Sequence, residues 1–182
     1  GMVTAGYGLG DRAIAGFTPV LAVGMWCAGE LSVGECLGGI VAQLAGSVAA
    51  AGMLYLLVSP IPSFDVHQGF TGNGYAELSP GGFSLSSVLL AEAVMSAFVV
   101  CLALGARAAG HDFFVVAGGC LALVVMLTVT LDNAAVSPAR SLAMALFAGG
   151  EWLGQVWVFW VGPLAGAALG GLIHRHTVYR TQ

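Results

Sequence analysis

Lysine is absent from the sequence, and charge of either sign is scarce. Asp, Glu, Lys and Arg together make up 8% of 182 residues, with five arginines supplying all the basic charge and a formal net charge of −4. Soluble domains carry about 25% charged residues. Five scattered arginines cannot build the basic patch that nucleic-acid binding requires, so no nucleic-acid partner is expected. The four cysteines, Cys27, Cys36, Cys101 and Cys120, form no CxxC spacing and read as small buried hydrophobes. His67, His111, His174 and His176 fall at loop or terminal positions without metal-ligand spacing, so neither a metal, a cofactor nor an enzymatic activity is expected. The first ten residues lack a basic segment and do not read as a signal peptide.

Apolar residues are abundant instead: 58% of the chain is hydrophobic and the mean hydropathy is +0.93. Spanning a bilayer takes about 20 apolar residues in a helix. Four runs meet that length closely, Leu37–Val58, Phe83–Ala106, Phe113–Leu131 and Trp152–Ile173. Residues 1–10, Pro19–Cys27 and Pro138–Phe147 are apolar but too short to cross, and the last two read as re-entrant half-helices. The expected class is therefore an all-α integral membrane bundle.

Arginine placement sets the expected orientation. Arg107, Arg175 and Arg180 fall on one side, and Arg12 joins them if the first short helix is re-entrant. By the positive-inside rule that side is cytoplasmic, and the arginine-free loop 59–82 lies opposite. Arg140 is the exception, and an arginine at membrane depth is a functional candidate. Trp152, Trp157 and Trp160 suit either an interfacial belt or packing. Gly162, Gly166 and Gly170 repeat every four residues, a stripe that lets helix backbones approach closely.

Two segments repeat at long range. Thr18-Pro19-Val20 and Ser137-Pro138-Ala139 each open a short apolar helix that runs into Ala-Gly with a Glu nearby and then a full span. Three full spans separate the two starts, so the half-helices enter from opposite faces, the pattern of an inverted repeat. Thr18 and Ser137 are suited to cap the helices, with Pro19 and Pro138 at the first position, where the missing N–H costs nothing. Each half-helix would aim its positive end at the bundle centre, and Arg140 adds a fixed charge there. The pattern describes a pore.

These residues resemble the aquaporin (major intrinsic protein) family, particularly its bacterial aquaporin Z type. The family heads two half-helices with Asn-Pro-Ala, the second followed by Arg. Here the motifs are Thr18-Pro19-Val20 and Ser137-Pro138-Ala139-Arg140, and the stretch Asn73–Gly82 resembles the corresponding family loop. The resemblance implies an aquaporin-like bundle of inverted repeats as a single domain over 1–182. Residues 1–58 would be the remainder of the first repeat, 59–82 an extracellular loop, 83–173 the second repeat and 174–182 a cytoplasmic tail. It implies that Glu92 braces a re-entrant loop, in preference to acting as a pore-lining proton site. It places Val125, Ala134 and Arg140 in the selectivity filter, whose aromatic member would precede Gly1. The first span and part of the second have no counterpart, which makes a truncated reading frame the expectation over a naturally reduced protein.

The implied function is a passive channel for water, with small neutral solutes such as glycerol as further cargo because Val125 and Ala134 widen the filter. The implied partners are the lipid bilayer and a homotetramer of this chain, and the implied location is the bacterial inner membrane. The alternative is a degenerate, non-conducting member with a structural role. Asp11, where the family often has a loop histidine, reads as a solvated loop acid. Thr18 and Ser137 replace asparagines, and a hydroxyl offers one rotatable donor where an amide offers two fixed ones. Restoring both with Thr18→Asn and Ser137→Asn is expected to reduce proton leak in dye-loaded proteoliposomes; leak equal to the parent's would make the lost amides irrelevant.

Overall fold

A computed structural model describes residues 2–9 and 16–178. Asp11, Arg12 and Arg180 lie outside the described residues. Eight α-helices follow in order among the described residues: α1 Met2–Leu9, α2 Pro19–Ala28, α3 Val33–Val58, α4 Leu85–Ala108, α5 Phe113–Asp132, α6 Pro138–Ala148, α7 Gly150–Gln155 and α8 Val158–Val178. Two 3-10 turns, Val66–Gln68 and Ala76–Leu78, shape the loop between α3 and α4.

Side-chain caps start most of these helices, because the first turn leaves backbone N–H groups unpaired. Ser32 and Glu35 cap α3 reciprocally, Ser84 caps α4 through Ser87 N–H, and Asp112 caps α5 through Val115 N–H. The α2 helix stops at Gly29, whose φ of 84° suits glycine and few other residues. Tyr7 of α1 donates to Asp112 at 2.6 Å, which holds the Asp112 carboxyl below its usual range.

Among the described residues, four helical stretches are long and apolar enough to cross a membrane: Val33–Val58, Leu85–Ala108, Phe113–Asp132 and Gly150–Thr177. They coincide with the expected spans to within about a turn. The last differs in detail, since the helix breaks at residues 156–157 between α7 and α8 and then runs on to Val178. The expected tail at 174–182 therefore begins as helix, and His174 is buried in it, not loose at a terminus. The reason is a partner: His174 Nε2 lies 3.5 Å from Glu30 Oε1, while Arg107 Nη1 donates to Glu30 Oε2 at 2.7 Å. Arg107 also lies over the Phe113 ring.

That trio fixes the polarity of the bundle. Glu30 follows α2, Arg107 ends α4 and His174 is near the end of α8, so these three C-terminal ends share one face of the bundle. The C-terminal end of α6 lies at the other, where His67 Nδ1 meets the Ala148 carbonyl at 2.9 Å and Phe147 packs on Phe70 and Tyr55. The two half-helices run in opposite directions from a shared middle. α2 and α6 touch, and Val20 shares an apolar cluster with Val136, the residue before Ser137.

The most extensive helix pair is α4 with α8, followed by α2 with α8. The glycine stripe explains it. A Cβ on Gly166 would collide with the Ala93 carbonyl, one on Gly170 would come within 2.8 Å of the Ala97 carbonyl, and one on Gly162 would meet Glu92 Cβ at 3.1 Å. Gly171 meets the Gly24 carbonyl of α2 in the same way. Elsewhere the surface is apolar: Leu37, Val41, Met53, Leu56 and Leu57 of α3 are all exposed. A face of that kind belongs in lipid or against another helix. This is a multi-pass integral membrane protein. Trp152 packs on Gly69 and Gly72 and donates to the His67 carbonyl, whereas Trp157 is exposed.

Backbone contact at Gly166 leaves a side chain nowhere to go. Gly166→Leu is expected to destabilise the bundle by about 3 kcal/mol or more, seen as loss of a monodisperse peak and a lower melting temperature in detergent. An unchanged melting temperature would contradict the close approach.

Candidate functional site

Where α2 and α6 meet, both helices begin in the same way. Thr18 is extended, and its Oγ1 accepts the Leu21 N–H at 3.3 Å; Ser137 is extended, and its Oγ accepts the Arg140 N–H at 3.4 Å. The next N–H of each helix folds back on the cap carbonyl, Ala22 on Thr18 and Ser141 on Ser137. Pro19 and Pro138 have no N–H to place. Val20 and Ala139 N–H are left without a protein acceptor among the described residues. Two helix N-termini thus converge with their partial positive charge and free donors inside the bundle. Val20 and Ala139 are themselves buried.

Arg140 lies on the first turn of α6, partly buried. Its Nη1 donates to Asn73 Oδ1 at 3.0 Å and faces the carbonyls of Ala134 at 3.3 Å and Asn133 at 3.4 Å. Nη2 donates to the Thr71 carbonyl at 3.1 Å. Four oxygens therefore fix the plane of the guanidinium. Its Nε–H has no protein acceptor among the described residues, so it can serve a passing oxygen atom.

Asn73, only 3% exposed, is the hub of this arrangement, and its role was not evident from sequence beyond the resemblance of the loop it opens. Its Oδ1 accepts from Arg140 and from Ser141 Oγ at 2.8 Å, and its Nδ2 donates to the carbonyls of Asp132 at 2.8 Å and Asn133 at 3.1 Å. Asn133 answers by donating to the Gly72 carbonyl at 3.0 Å. The loop between α3 and α4 is thereby tied to the segment leading into α6.

That segment is unusual backbone. Asn133, Ala134 and Val136 have φ of 65°, 57° and 41°. Glu92, fully buried on α4, accepts the Val136 N–H at 3.0 Å through Oε2. Asp132 Oδ1 accepts the Ala134 N–H at 2.9 Å. The bond from Glu92 ties this segment to α4.

The expected filter residues separate into two groups. Ala134 and Arg140 are in direct contact through the Ala134 carbonyl. Val125 is not joined to them: it is 43% exposed, about two turns before the end of α5, and presents its side chain to an open face of the bundle. Its neighbours Val124 and Thr128 point inward. The four cysteines are free thiols, Cys36 and Cys120 buried and the other two partly so.

A family model described as "Major intrinsic protein" matches residues 2–174. The chain belongs to that family. Its curated relatives include Aquaporin Z from Bradyrhizobium diazoefficiens, 37% identical over 177 residues, and Aquaporin Z from Rhodopseudomonas palustris, 35% identical over 177 residues. Each match covers 96% of this chain and 74% of the relative. Family membership agrees with the opposed half-helices and with the arginine at the head of the second.

Removing the Asn73 side chain takes the donor from the buried Asp132 carbonyl and one partner each from the Asn133 carbonyl and the Arg140 guanidinium, at about 1–3 kcal/mol for each group left unsatisfied. Asn73→Ala is expected to lower thermal stability by several kcal/mol, measured as a shift in the unfolding curve in detergent. A curve that overlays the parent's would show that Asn73 does not hold the network.

Proposed function

We propose that this protein is a passive transmembrane channel for water that also admits small neutral solutes such as glycerol. The observation that carries this reading is the meeting of two oppositely directed, Pro-headed half-helices inside a membrane bundle, with Arg140 held by four oxygens at the head of one of them. Both features favour neutral cargo. A path past two positive helix ends and a guanidinium repels cations, while free N–H groups along it give a water or hydroxyl oxygen somewhere to bind. The relatives named Aquaporin Z support water as the main cargo.

The small side chain of Ala134, in contact with the guanidinium through its carbonyl, supports a wider opening beside Arg140 than a bulkier polar residue would leave. The pore runs through each copy, and four copies assemble with apolar helix faces such as that of α3 turned to neighbours or lipid. The protein sits in the bacterial inner membrane with its C-terminus in the cytoplasm, as the placement of Arg107 and Arg175 on one face supports.

The test is stopped-flow light scattering on proteoliposomes of this chain. Sucrose gradients are expected to shrink them well above the rate of protein-free vesicles, and glycerol gradients to show a second, re-swelling phase. Arg140→Ala is expected to keep water flow and raise glycerol entry several-fold. Water flow at the protein-free rate would overturn the channel reading, and unchanged glycerol entry would remove Arg140 from the filter.

A further inference from the structure

Two acidic side chains in the interior exceed what a brace requires. Glu92 on α4 and Asp132 at the end of α5 are both fully buried. Each spends one oxygen on the segment leading into α6, Glu92 Oε2 on Val136 N–H and Asp132 Oδ1 on Ala134 N–H. Each also keeps a second oxygen, Glu92 Oε1 and Asp132 Oδ2, with no donor among the described residues. The N–H groups they hold are two residues apart, so the two carboxyls approach one short stretch of backbone from two helices.

Two ionised carboxylates cannot share such a place. Each orphaned acceptor carries a desolvation penalty, and like charge at contact adds repulsion. One proton removes both problems: the hydroxyl of one carboxyl donates to the free oxygen of the other. The pair then carries a single negative charge, which the guanidinium of Arg140, held by carbonyls of the same segment, balances. Among the described residues, no other element supplies a competing group. On α4, the Ser96 hydroxyl one turn on is buried and makes no hydrogen bond. On α5, the Thr128 hydroxyl is spent on the Val124 carbonyl. From α8 come Phe159, Val158 and Gly162, none of them titratable.

We propose that Glu92 and Asp132 share one proton, and that Asp132 is thereby a positioning residue for Arg140. The acid–carboxylate pair holds the segment 133–136 from two helices at once, and that segment supplies two of the carbonyls that orient the guanidinium. Raising the pH until the shared proton leaves would put two anions side by side. They would part, the segment would loosen, and solute discrimination would fall with rising pH. The consequence for solutes rests on the channel reading; the shared proton does not.

The experiment has two readouts on the full chain in lipid. Infrared spectra are expected to show a protonated-carboxyl band at neutral pH that disappears on alkaline titration and is absent from Asp132→Asn. The ratio of glycerol to water permeability is expected to rise several-fold at alkaline pH in the parent. In Asp132→Asn, whose amide can accept from Ala134 and donate to Glu92, the ratio is expected not to move with pH. In Asp132→Ala it is expected to be raised at every pH. Absence of the band at neutral pH, or a ratio in Asp132→Asn that follows the parent's pH profile, would overturn the proposal. If the parent passes no water, the channel reading fails, and the infrared band alone decides the shared proton.

Discussion

The hydrogen bond from Val136 N–H to Glu92 is the interaction on which the second half-helix depends. Val136 is β-branched and has φ of 41°, a conformation that such residues rarely adopt. Together with Asn133 and Ala134, it turns the chain from the end of α5 directly into the head of α6. Each such residue costs on the order of 1–3 kcal/mol and persists only when its surroundings over-determine it. Here the determinants are directional: acceptors on Glu92 and Asp132 for two backbone N–H groups, and donors on Asn73 for two carbonyls. A chain that reaches mid-bundle through packed protein cannot do so as an ordinary solvated loop, because away from the pore no water satisfies its backbone.

Much of this was legible from sequence because it is local. Hydropathy alone marked the four long helices, since a span needs only length and composition. The Thr-Pro and Ser-Pro pairs marked both half-helix starts, since capping and proline placement act within four residues. The glycine stripe on α8 announced a close approach, though not that α4 and α2 would be the partners. What stayed hidden depends on residues far apart in the chain. Nothing near Asn73 signals that it will bond to Asp132, Asn133 and Arg140. Asp132 closes an apolar span and by itself looks like an ordinary helix end. His174, next to Arg175 and His176, reads as a polar tail until Glu30, more than a hundred residues earlier, is placed beside it.

The two half-helices are equivalent in sequence and opposite in direction, yet different physics holds them. α2 is held by packing. Val20, Leu21 and Met25 are fully buried against α4 residues such as Val100 and Leu104, and the Gly24 carbonyl touches α8 at Gly171. α6 has its own apolar contacts with α3, but its head is fixed by a polar network. The difference follows from what each head carries. Val20 needs only to be surrounded, and close-packed apolar groups do that without preference for rotation about the contact. Arg140 must keep a charged plane in one orientation, and dispersion contacts cannot do that. Only acceptors at fixed angles can, which is why carbonyls of 71, 133 and 134 and the Asn73 amide collect around it. An irregular, strained segment is well suited to supply them, because a regular helix would have spent those carbonyls on its own N–H groups. The backbone strain before α6 and the fixed guanidinium on its first turn are therefore two sides of one arrangement.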